Sequence, residues 1–380
     1  MPKWTSGTAT RRAVLKGAVA LTVLSLAAGQ ALAQDVPAGY PADYSAIIEG
    51  SRAESALTIF SNVGEVNWRP VLEAFKAKYP WINVQTLDLG ASEVFERHYA
   101  DAASGANTAD ILLSSSAPNW LELSDKGMVE PYVTLEAANV PDWSRPLDGV
   151  YSISVDPFVI AYNKLLLTPD QYPKSLSDIA AAAAKDPASY DKRMGSYGPN
   201  TTGFAQAMYN AYAEHGGQKA LDTFKTIGPM TELYRSVGPV LEKITTGEYM
   251  AGYFISGISL FPLLQDPTRA SVIGWTFDAD GAAMGERNFA IVKSAQHPNA
   301  ARLFTDFLLS RDGQQAVGIG GLVPFRSDVD ADAFTSKLNY DRVVQQVGAD
   351  NIVLIRPDRA VMEKLPEFNA LSAKLFNEQP

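Results

Sequence analysis

The 380-residue sequence contains no cysteine. This absence excludes disulfide bonds, thiolate nucleophiles, thiolate zinc sites and a cysteine that would carry a lipid anchor. Histidine is also scarce, because His98, His215 and His297 are isolated and no paired spacing such as HExxH occurs. We therefore expect no metal site built on histidine, and no cofactor.

Common catalytic motifs are missing as well. There is no GxSxG nucleophile elbow and no GxxxxGK[ST] phosphate loop, since the segment GPNTTG at residues 198–203 lacks the lysine. No neighbouring carboxylates stand out as a glycosidase pair, although carboxylates distant in sequence can meet in a fold. We expect a protein that is not an enzyme; an exported hydrolase or lyase is the less favoured alternative.

Long apolar runs are absent after the first 33 residues. In that N-terminal segment a basic start precedes an apolar run from Ala18 to Ala28 and a small-x-small cleavage site at Ala31-Leu32-Ala33. The Arg11-Arg12 pair resembles a twin-arginine export signal, with an ordinary secretory signal as the alternative. Residues 1–33 are therefore predicted to be a signal peptide, cleaved after about Ala33, and the mature protein is expected in the periplasm.

Acidic side chains outnumber basic ones, and the formal net charge is −10. Residues 1–33 hold four basic residues and no acid, so cleavage would change the net charge to −14. An acidic surface disfavours nucleic acid and anionic membranes as partners, but a cleft can still bind a small anion through local dipoles. We expect no direct membrane insertion of the mature chain.

The segment from Leu57 to Pro80 predicts a buried strand, a polar turn at Ser61-Asn62, and a helix that ends at the proline. The order recurs where the strand from Ala109 to Leu113 runs into three serines before the next helix. Alternating strands and helices of this length favour an α/β fold with a parallel sheet. Helix starts at the carboxyl ends of such strands present N–H groups that can hold an anion.

Polar helix starts occur four times, at Ser61-Asn62, Ser114 to Ser116, Thr201-Thr202-Gly203 and Ser236. Hydroxyl and N–H groups of this kind hold an oxyanion without a formal positive charge. The alternative for any single turn is a helix cap that binds no ligand. Four such turns facing one cleft would form a binding site.

The chain resembles the type II periplasmic solute-binding proteins of ABC importers, in the branch that contains ferric-ion, phosphonate and sugar-phosphate binders. The resemblance covers about Ala56 to Asp328 and is most specific from Ile291 to Val329, where an HPNA turn, an LFxDFLLS helix and a VPxRxD exit follow one another. TTGEYMAGYF, from Thr245 to Phe254, resembles the family's Gly-Glu motif, and GPNTTGF resembles its anion-holding turn.

The resemblance implies two α/β lobes, each a mainly parallel sheet flanked by helices, joined by crossover strands and able to close on a ligand. Lobe 1 would comprise residues 56–152 and about 284–326, and lobe 2 residues 153–283 and about 327–380, after a lead-in at 34–55. The implied function is that of a monomer that captures a small solute and delivers it to an ABC permease in the inner membrane; a sensory role is the alternative.

The metal ligands of ferric-ion binders are not matched. Positions of the adjacent tyrosines hold Gly257 and Ile258, the histidine position corresponds to about Gly64, and serines replace the glutamate after ADILL. A ferric ion would lack its ligands. A phosphonate, phosphate ester or carboxylate is therefore the expected solute, with ferric ion or a polyamine as alternatives.

The expected ligand-binding residues come from both lobes. Asp156 and Asp278 are additional candidates for binding an amine on the ligand, as an aminophosphonate would require. Hydroxyl, amide and backbone groups for the ligand are expected from Ser61, Asn62, Ser115, Thr201, Thr202, Gly203, Ser236 and Ser256. The aromatic candidates for the cleft wall are Tyr162, Tyr253 and Trp275.

Overall fold

A computed structural model describes residues 36–378. The predicted signal peptide and its cleavage site lie outside these residues. Among the described residues, no helix is both long enough and apolar enough to cross a membrane.

Ten strands form one continuous sheet with the order β2-β1-β3-β9-β4-β7-β5-β6, to which β10 adds beside β9 and β8 beside β4. Strands β1 and β2, β1 and β3, β5 and β6, and β5 and β7 are parallel, whereas β4 and β9 are antiparallel to each other. The strands are β1 Ala56–Ser61, β2 Asn83–Asp88, β3 Ile111–Ser114, β4 Val150–Asn163, β5 Met194–Tyr197, β6 Thr231–Tyr234, β7 Ala251–Ser256, β8 Ile273–Thr276, β9 Ala282–Ile291 and β10 Ile352–Ile355.

Helices cover both faces of this sheet, and short 3₁₀ turns lie between them. The α-helices are α1 Ser45–Glu54, α2 Glu65–Lys78, α3 Glu93–Ser104, α4 Ala117–Asp125, α5 Leu176–Lys185, α6 Pro187–Tyr190, α7 Gly203–Ile227, α8 Gly238–Thr246, α9 Gly257–Leu263, α10 Pro267–Val272, α11 Pro298–Leu309, α12 Arg311–Ile319, α13 Tyr340–Val347, α14 Arg359–Met362 and α15 Leu365–Leu375. The 3₁₀ turns are Ala42–Tyr44, Ala137–Asn139, Asp142–Ser144, Pro169–Gln171, Gly228–Met230, Ala331–Ala333 and Ala349–Asn351.

The predicted strand–turn–helix units are confirmed. Strand β1 is followed by α2, and β3 is followed by α4, with the polar turns between them. The sequence pattern predicts two helices here, from Phe204 to His215 and from Ala220 to Ile227. In the structure they form the single helix α7, which starts at Gly203 and has a break at Gly217, where φ is +55°. Only glycine adopts that backbone conformation without strain, so the break is set by the sequence.

The sheet divides into two lobes, as predicted. Lobe 1 is built around β1, β2 and β3, with α2, α11 and α12 on one face and α3 and α4 on the other. Lobe 2 is built around β5, β6 and β7, with α7 on one face and α8 and α13 on the other. Each lobe has its own buried aromatic core, which includes Trp68 and Phe304 in lobe 1 and Tyr209 and Phe224 in lobe 2. The exact residue boundaries of the lobes remain a prediction.

Strands β4 and β9 run through both lobes side by side. Their pairing extends from Val150 opposite Ala290 in lobe 1 to Phe158 opposite Ala283 in lobe 2, with one register shift between Ser152 and Ser154. Every residue of both strands is buried. Strand β9 is longer than the predicted segment from Phe289 to Val292, because the polar residues Glu286, Arg287 and Asn288 interrupt its apolar pattern.

The lead-in segment packs on lobe 1. Tyr44 and Ile48 are buried in its core, and the Tyr44 hydroxyl donates a hydrogen bond of 2.8 Å to Asp306. The C-terminal segment returns to lobe 2: β10 pairs in parallel with β9, and α15 packs on α7. The sequence pattern predicted helices and loops for this tail but did not predict β10.

Candidate functional site

The crevice between the lobes is the junction where the carboxyl ends of β1 and β3 in lobe 1 face that of β5 in lobe 2. The lobes touch at several places, two of which adjoin expected site residues. At the first, Ser116 before α4 lies against Gly203 at the start of α7: a Cβ added to Gly203 would be 3.2 Å from Ser116 Oγ. At the second, Ile258 of α9 packs on the core of lobe 1. The two lobes are therefore in direct contact.

The buried side chain of Arg287, on β9, lies at this junction and connects β4 to the turn after β1. Its Nε donates to Asp156 Oδ2 at 3.1 Å, and its Nη1 donates to the backbone oxygen of Asn62 at 3.2 Å and to Asn62 Oδ1 at 2.8 Å. Its Nη2 has no hydrogen-bond partner among the described residues. A guanidinium donates five N–H bonds in a fixed fork, so Nη2 remains able to bind an oxyanion.

Asp156 holds this guanidinium from β4. Besides Arg287 Nε, its carboxylate accepts hydrogen bonds from Ser154 Oγ at 3.2 Å and from the Val323 N–H at 3.0 Å. The side chains of Arg287 and Asp156 are only 8% and 2% exposed. Asp156, one of two residues expected to bind a ligand amine, is thus engaged by a cation of the protein itself.

Two predicted residues of lobe 1 are joined by a hydrogen bond. Asn62 follows β1 and Ser115 follows β3, and Asn62 Nδ2 donates to Ser115 Oγ at 2.9 Å. Because Asn62 Oδ1 must accept from Arg287, the amide orientation is fixed. Ser115 Oγ then acts as an acceptor, and its own O–H is available to donate into the crevice.

The start of α7 supplies donors from lobe 2. Thr202 is the N-cap, and its Oγ1 accepts a hydrogen bond of 3.1 Å from the Ala205 N–H. The N–H groups of Gly203 and Phe204, the first two of the helix, have no partner among the described residues. Such N–H groups, together with the positive end of the helix dipole, favour an anion.

Tyr197, the last residue of β5, faces Arg287. Burial raises the pKa of its phenol to about 12, and the electrostatic effect of Arg287 opposes that rise. The phenol therefore remains neutral and can donate a hydrogen bond near the guanidinium. Its ring also packs edge-on against Phe204, with 6.0 Å between the centroids.

Four other expected residues lie at the strand ends but differ in how available they are. The Ser61 hydroxyl is buried, donating to the Val63 oxygen at 3.3 Å and accepting from Trp68 Nε1 at 2.9 Å. Thr201 Oγ1 donates to the Gly198 oxygen at 2.7 Å. Ser256 is buried opposite Phe158, whereas Ser236 is exposed on the turn before α8.

The three aromatic candidates lie elsewhere. Tyr253 is buried within lobe 2, where its hydroxyl is 2.9 Å from Thr231 Oγ1. Tyr162 stacks on Tyr172 at the far end of β4, and Trp275 on β8 pairs with the neighbouring Ala161. Since Arg287 pairs with Ser154, Tyr162 is about 26 Å further along the strand.

Asp278, the second residue expected to bind an amine, has a structural role. Its carboxylate accepts hydrogen bonds from Tyr212 Oη at 2.7 Å and from the N–H groups of Leu176 and Asp280. Burial raises its pKa to about 6. These contacts fix the start of α5 and leave little of the carboxylate for a ligand.

Arg287 and Tyr197 were not among the expected site residues. A sequence signal for Arg287 does exist, because Glu286, Arg287 and Asn288 are three successive polar residues inside a buried strand. A buried charge requires a partner or a function. Residues 36–378 contain no group of three or more His, Asp or Glu side chains able to hold a metal ion.

The chain matches the family of bacterial extracellular solute-binding proteins over residues 63–315. It therefore belongs to this family. Among proteins of curated function, none matches the chain by sequence.

Solved structures show the same two-lobed fold, that of the type II periplasmic binding proteins. The substrate-binding protein of an ABC transporter from Agrobacterium tumefaciens has a TM-score of 0.73 at 18% identity, over 84% of this chain and 94% of that one. Iron-bound HitA from Pseudomonas aeruginosa has a TM-score of 0.66 at 20% identity, over 84% and 99%. AfuA from Actinobacillus pleuropneumoniae, with fructose-6-phosphate bound, has a TM-score of 0.61 at 17% identity, over 85% and 98%.

Proposed function

We propose that this protein is the periplasmic solute-binding component of an ABC importer, and that it binds a small organic anion in the crevice between its lobes. The solute would be a phosphonate, a phosphate ester or a carboxylate, and an inner-membrane permease would receive it. The protein performs no catalysis in this role. Affinity comes from hydrogen bonds in a crevice that closure shields from water.

The main support for an anionic solute is Arg287 Nη2, a guanidinium nitrogen that has no hydrogen-bond partner among the described residues. The Ser115 hydroxyl, the N–H groups of Gly203 and Phe204, and the Tyr197 phenol add neutral donors around it. Five donors from both lobes and one crossover strand suit an oxyanion that bridges the lobes. The proposed site therefore consists of Asn62, Ser115, Tyr197, Thr202, Gly203, Phe204 and Arg287.

Ferric ion and polyamines are less well supported. The N–H groups of Arg287 are hydrogen-bond donors and cannot bind a cation, and the places of the tyrosine ligands hold Gly257 and Ile258, whose side chains carry no oxygen. Two of the structural neighbours contain iron and fructose-6-phosphate, so this fold accommodates both kinds of ligand. The residues of this chain favour the anion.

A thermal-shift screen of residues 34–380 tests the proposal. The panel contains phosphonates, phosphate esters, carboxylates, polyamines and ferric citrate, and a ligand at a hundred times its Kd adds about 2.7 kcal/mol of stability. We expect a higher Tm with at least one organic anion and a much smaller shift for the variant Arg287→Lys, which keeps the charge but loses the fork. A shift with ferric ion or polyamines alone would contradict the proposed solute class.

A further inference from the structure

Asp156 lies against Arg287 and neutralises its charge. Its Oδ2 is 3.1 Å from Arg287 Nε, and both side chains are buried, so the two formal charges cancel at close range with little screening by water. The donors that remain for a solute are neutral groups or the outer N–H groups of an already neutralised guanidinium. Arg235 donates to the Thr201 oxygen at 3.4 Å but is exposed, so solvent screens its charge.

Two negative charges on one solute would not be balanced in such a site. The first is accommodated by Arg287 Nη2 and by the helix start at Gly203. A second charge would be buried without a cation to balance it, because Asp156 already neutralises Arg287, and an unpaired buried charge is costly.

We propose that the crevice selects singly charged anions over doubly charged ones, and that Asp156 is the positioning residue that sets this preference. The inference rests on the proposed function and makes it more specific: the solute is a monocarboxylate or a monoanionic phosphoryl compound. Asp156 acts through Arg287, by cancelling its charge and by holding Nε so that Nη2 points to the solute.

The groups that bind Asp156 or its partner guanidinium come from four segments. Ser154 on β4 and the Val323 N–H donate to it, Arg287 on β9 pairs with it, and Asn62 binds the same guanidinium. Burial raises the pKa of the Tyr197 phenol to about 12, so it stays neutral at both pH values of the test below. Glu286, the residue before Arg287, bonds to Ser152 on the opposite face of the strand.

The test uses two probe series: the α-hydroxycarboxylates glycolate, lactate and 2-hydroxybutyrate, and the esters methyl, isopropyl and propyl phosphate. The second phosphate pKa is about 6, so these esters are about 90% monoanion at pH 5 and about 3% monoanion at pH 7.5. The carboxylates keep one charge at both values, since their pKa is about 4. They therefore report any titration of the protein itself.

Kd is measured by calorimetry at both pH values for the wild type, Asp156→Asn and Asp156→Glu. For the wild type we expect ester affinity to fall at least tenfold from pH 5 to pH 7.5, while carboxylate affinity changes less than twofold. Asp156→Asn should bind the esters at least as well at pH 7.5 as at pH 5, and Asp156→Glu should restore the wild-type trend. A change in folding alone would lower affinity for both series equally.

Two outcomes would overturn the inference. If the wild type binds the esters more tightly at pH 7.5, the site prefers dianions, and the charge preference is wrong although anion binding stands. If no probe of either series binds at either pH, the anion-binding function itself is wrong, and the preference falls with it. The wild-type profile decides between these outcomes even if Asp156→Asn fails to fold.

Discussion

Nη1 of Arg287 donates hydrogen bonds to both oxygens of Asn62, at 3.2 Å to the main chain and 2.8 Å to the side chain. The two residues are 225 positions apart in the sequence. Asn62 in turn donates to Ser115, so one series of hydrogen bonds runs from the crossover strand to the turn after β3. The orientation of the Ser115 hydroxyl is therefore determined by a residue on another strand.

Ser115→Ala should lower the affinity for the solute about tenfold, because it removes one hydrogen bond to a charged ligand. The hydroxyl is half-buried and makes one hydrogen bond within the protein, so the Tm should change little. Calorimetry and thermal unfolding measure the two effects. An unchanged Kd would exclude Ser115 from the site.

Thr202→Ala should behave differently, because Thr202 Oγ1 caps α7 through the Ala205 N–H. We expect a loss of about 1 kcal/mol in the free energy of unfolding, as for other N-cap substitutions. Thr202→Ser, which keeps the cap, is the matched control and should retain full stability. Equal stability of the alanine and serine variants in urea titrations would show that the cap contributes nothing.

Arg359→Ala should weaken solute binding by removing an ion pair between the lobes. Its guanidinium makes a two-pronged contact with Asp125 of α4, at 2.6 and 3.0 Å, so the pair joins the C-terminal segment to lobe 1. Opening the lobes would separate these residues, and the exposed pair should contribute about two- to fivefold in Kd at low salt.

Lys364→Ala provides the matched control for Arg359→Ala. Lys364 pairs with Glu214 at 2.8 Å with similar exposure, but both residues lie within lobe 2. Its removal should leave Kd unchanged. Equal effects of the two alanine variants, or no loss of the Arg359 effect at high salt, would argue against a contact that favours closure.

The pH dependence of the free energy of unfolding should reflect the titration of Glu286. Burial raises its pKa to about 8, against smaller opposing effects of Ser152, Arg356 and Asn288. The folded protein then holds a proton that the unfolded chain releases near pH 4.5. Stability from this group is complete below pH 4.5 and is lost as the pH rises to 8.

Glu286→Gln should remove that loss, so its free energy of unfolding should be flatter between pH 6 and 8 than that of the wild type. The difference is on the order of a few kcal/mol. Asp278, whose pKa is raised to about 6, contributes with the same sign but mostly below this window. Parallel profiles for wild type and Glu286→Gln in urea titrations would show that Glu286 is not the source.

Asp306→Ala should destabilise lobe 1 and release the lead-in. The buried carboxylate accepts hydrogen bonds from the hydroxyls of Tyr44, Tyr132 and Thr134 and from the Leu135 N–H, at 2.6 to 3.1 Å. Leaving these donors without an acceptor should cost about 3 to 5 kcal/mol. Denaturant titration measures the loss; Asp312→Ala, on the exposed face of the next helix, should cost almost nothing.

Much of the fold follows from local pattern. Short apolar strands that run into serine or asparagine turns and then into amphipathic helices predict parallel α/β units, and the structure confirms β1 with α2 and β3 with α4. Asn62 and Ser115, in the turns after β1 and β3, lie next to each other and share a hydrogen bond. These features depend on neighbouring residues or on strand ends that any parallel sheet brings together.

The features that sequence analysis missed depend on distant pairing. Arg287 reaches Asn62 only because β9 crosses between the lobes. Three successive polar residues interrupt the apolar pattern of β9, so the pattern did not predict its full length. The role of Ser61 was equally hidden, since its hydroxyl is bound by the Trp68 indole. Strand β10 is four residues long and forms by pairing with β9, so local propensity alone does not define it.

Strands β4 and β9 also determine how this molecule can move. Each is a single buried strand that belongs to both lobes. Within the described residues, β4 passes from lobe 1 to lobe 2 as continuous strand, without a loop. The lobes cannot separate as independent bodies; any change in the angle between them is a twist of this two-stranded ribbon. Arg287 and Asp156 stand on the ribbon at its middle. A solute bound to them therefore rests on the element that bends, and its binding energy acts directly on the hinge.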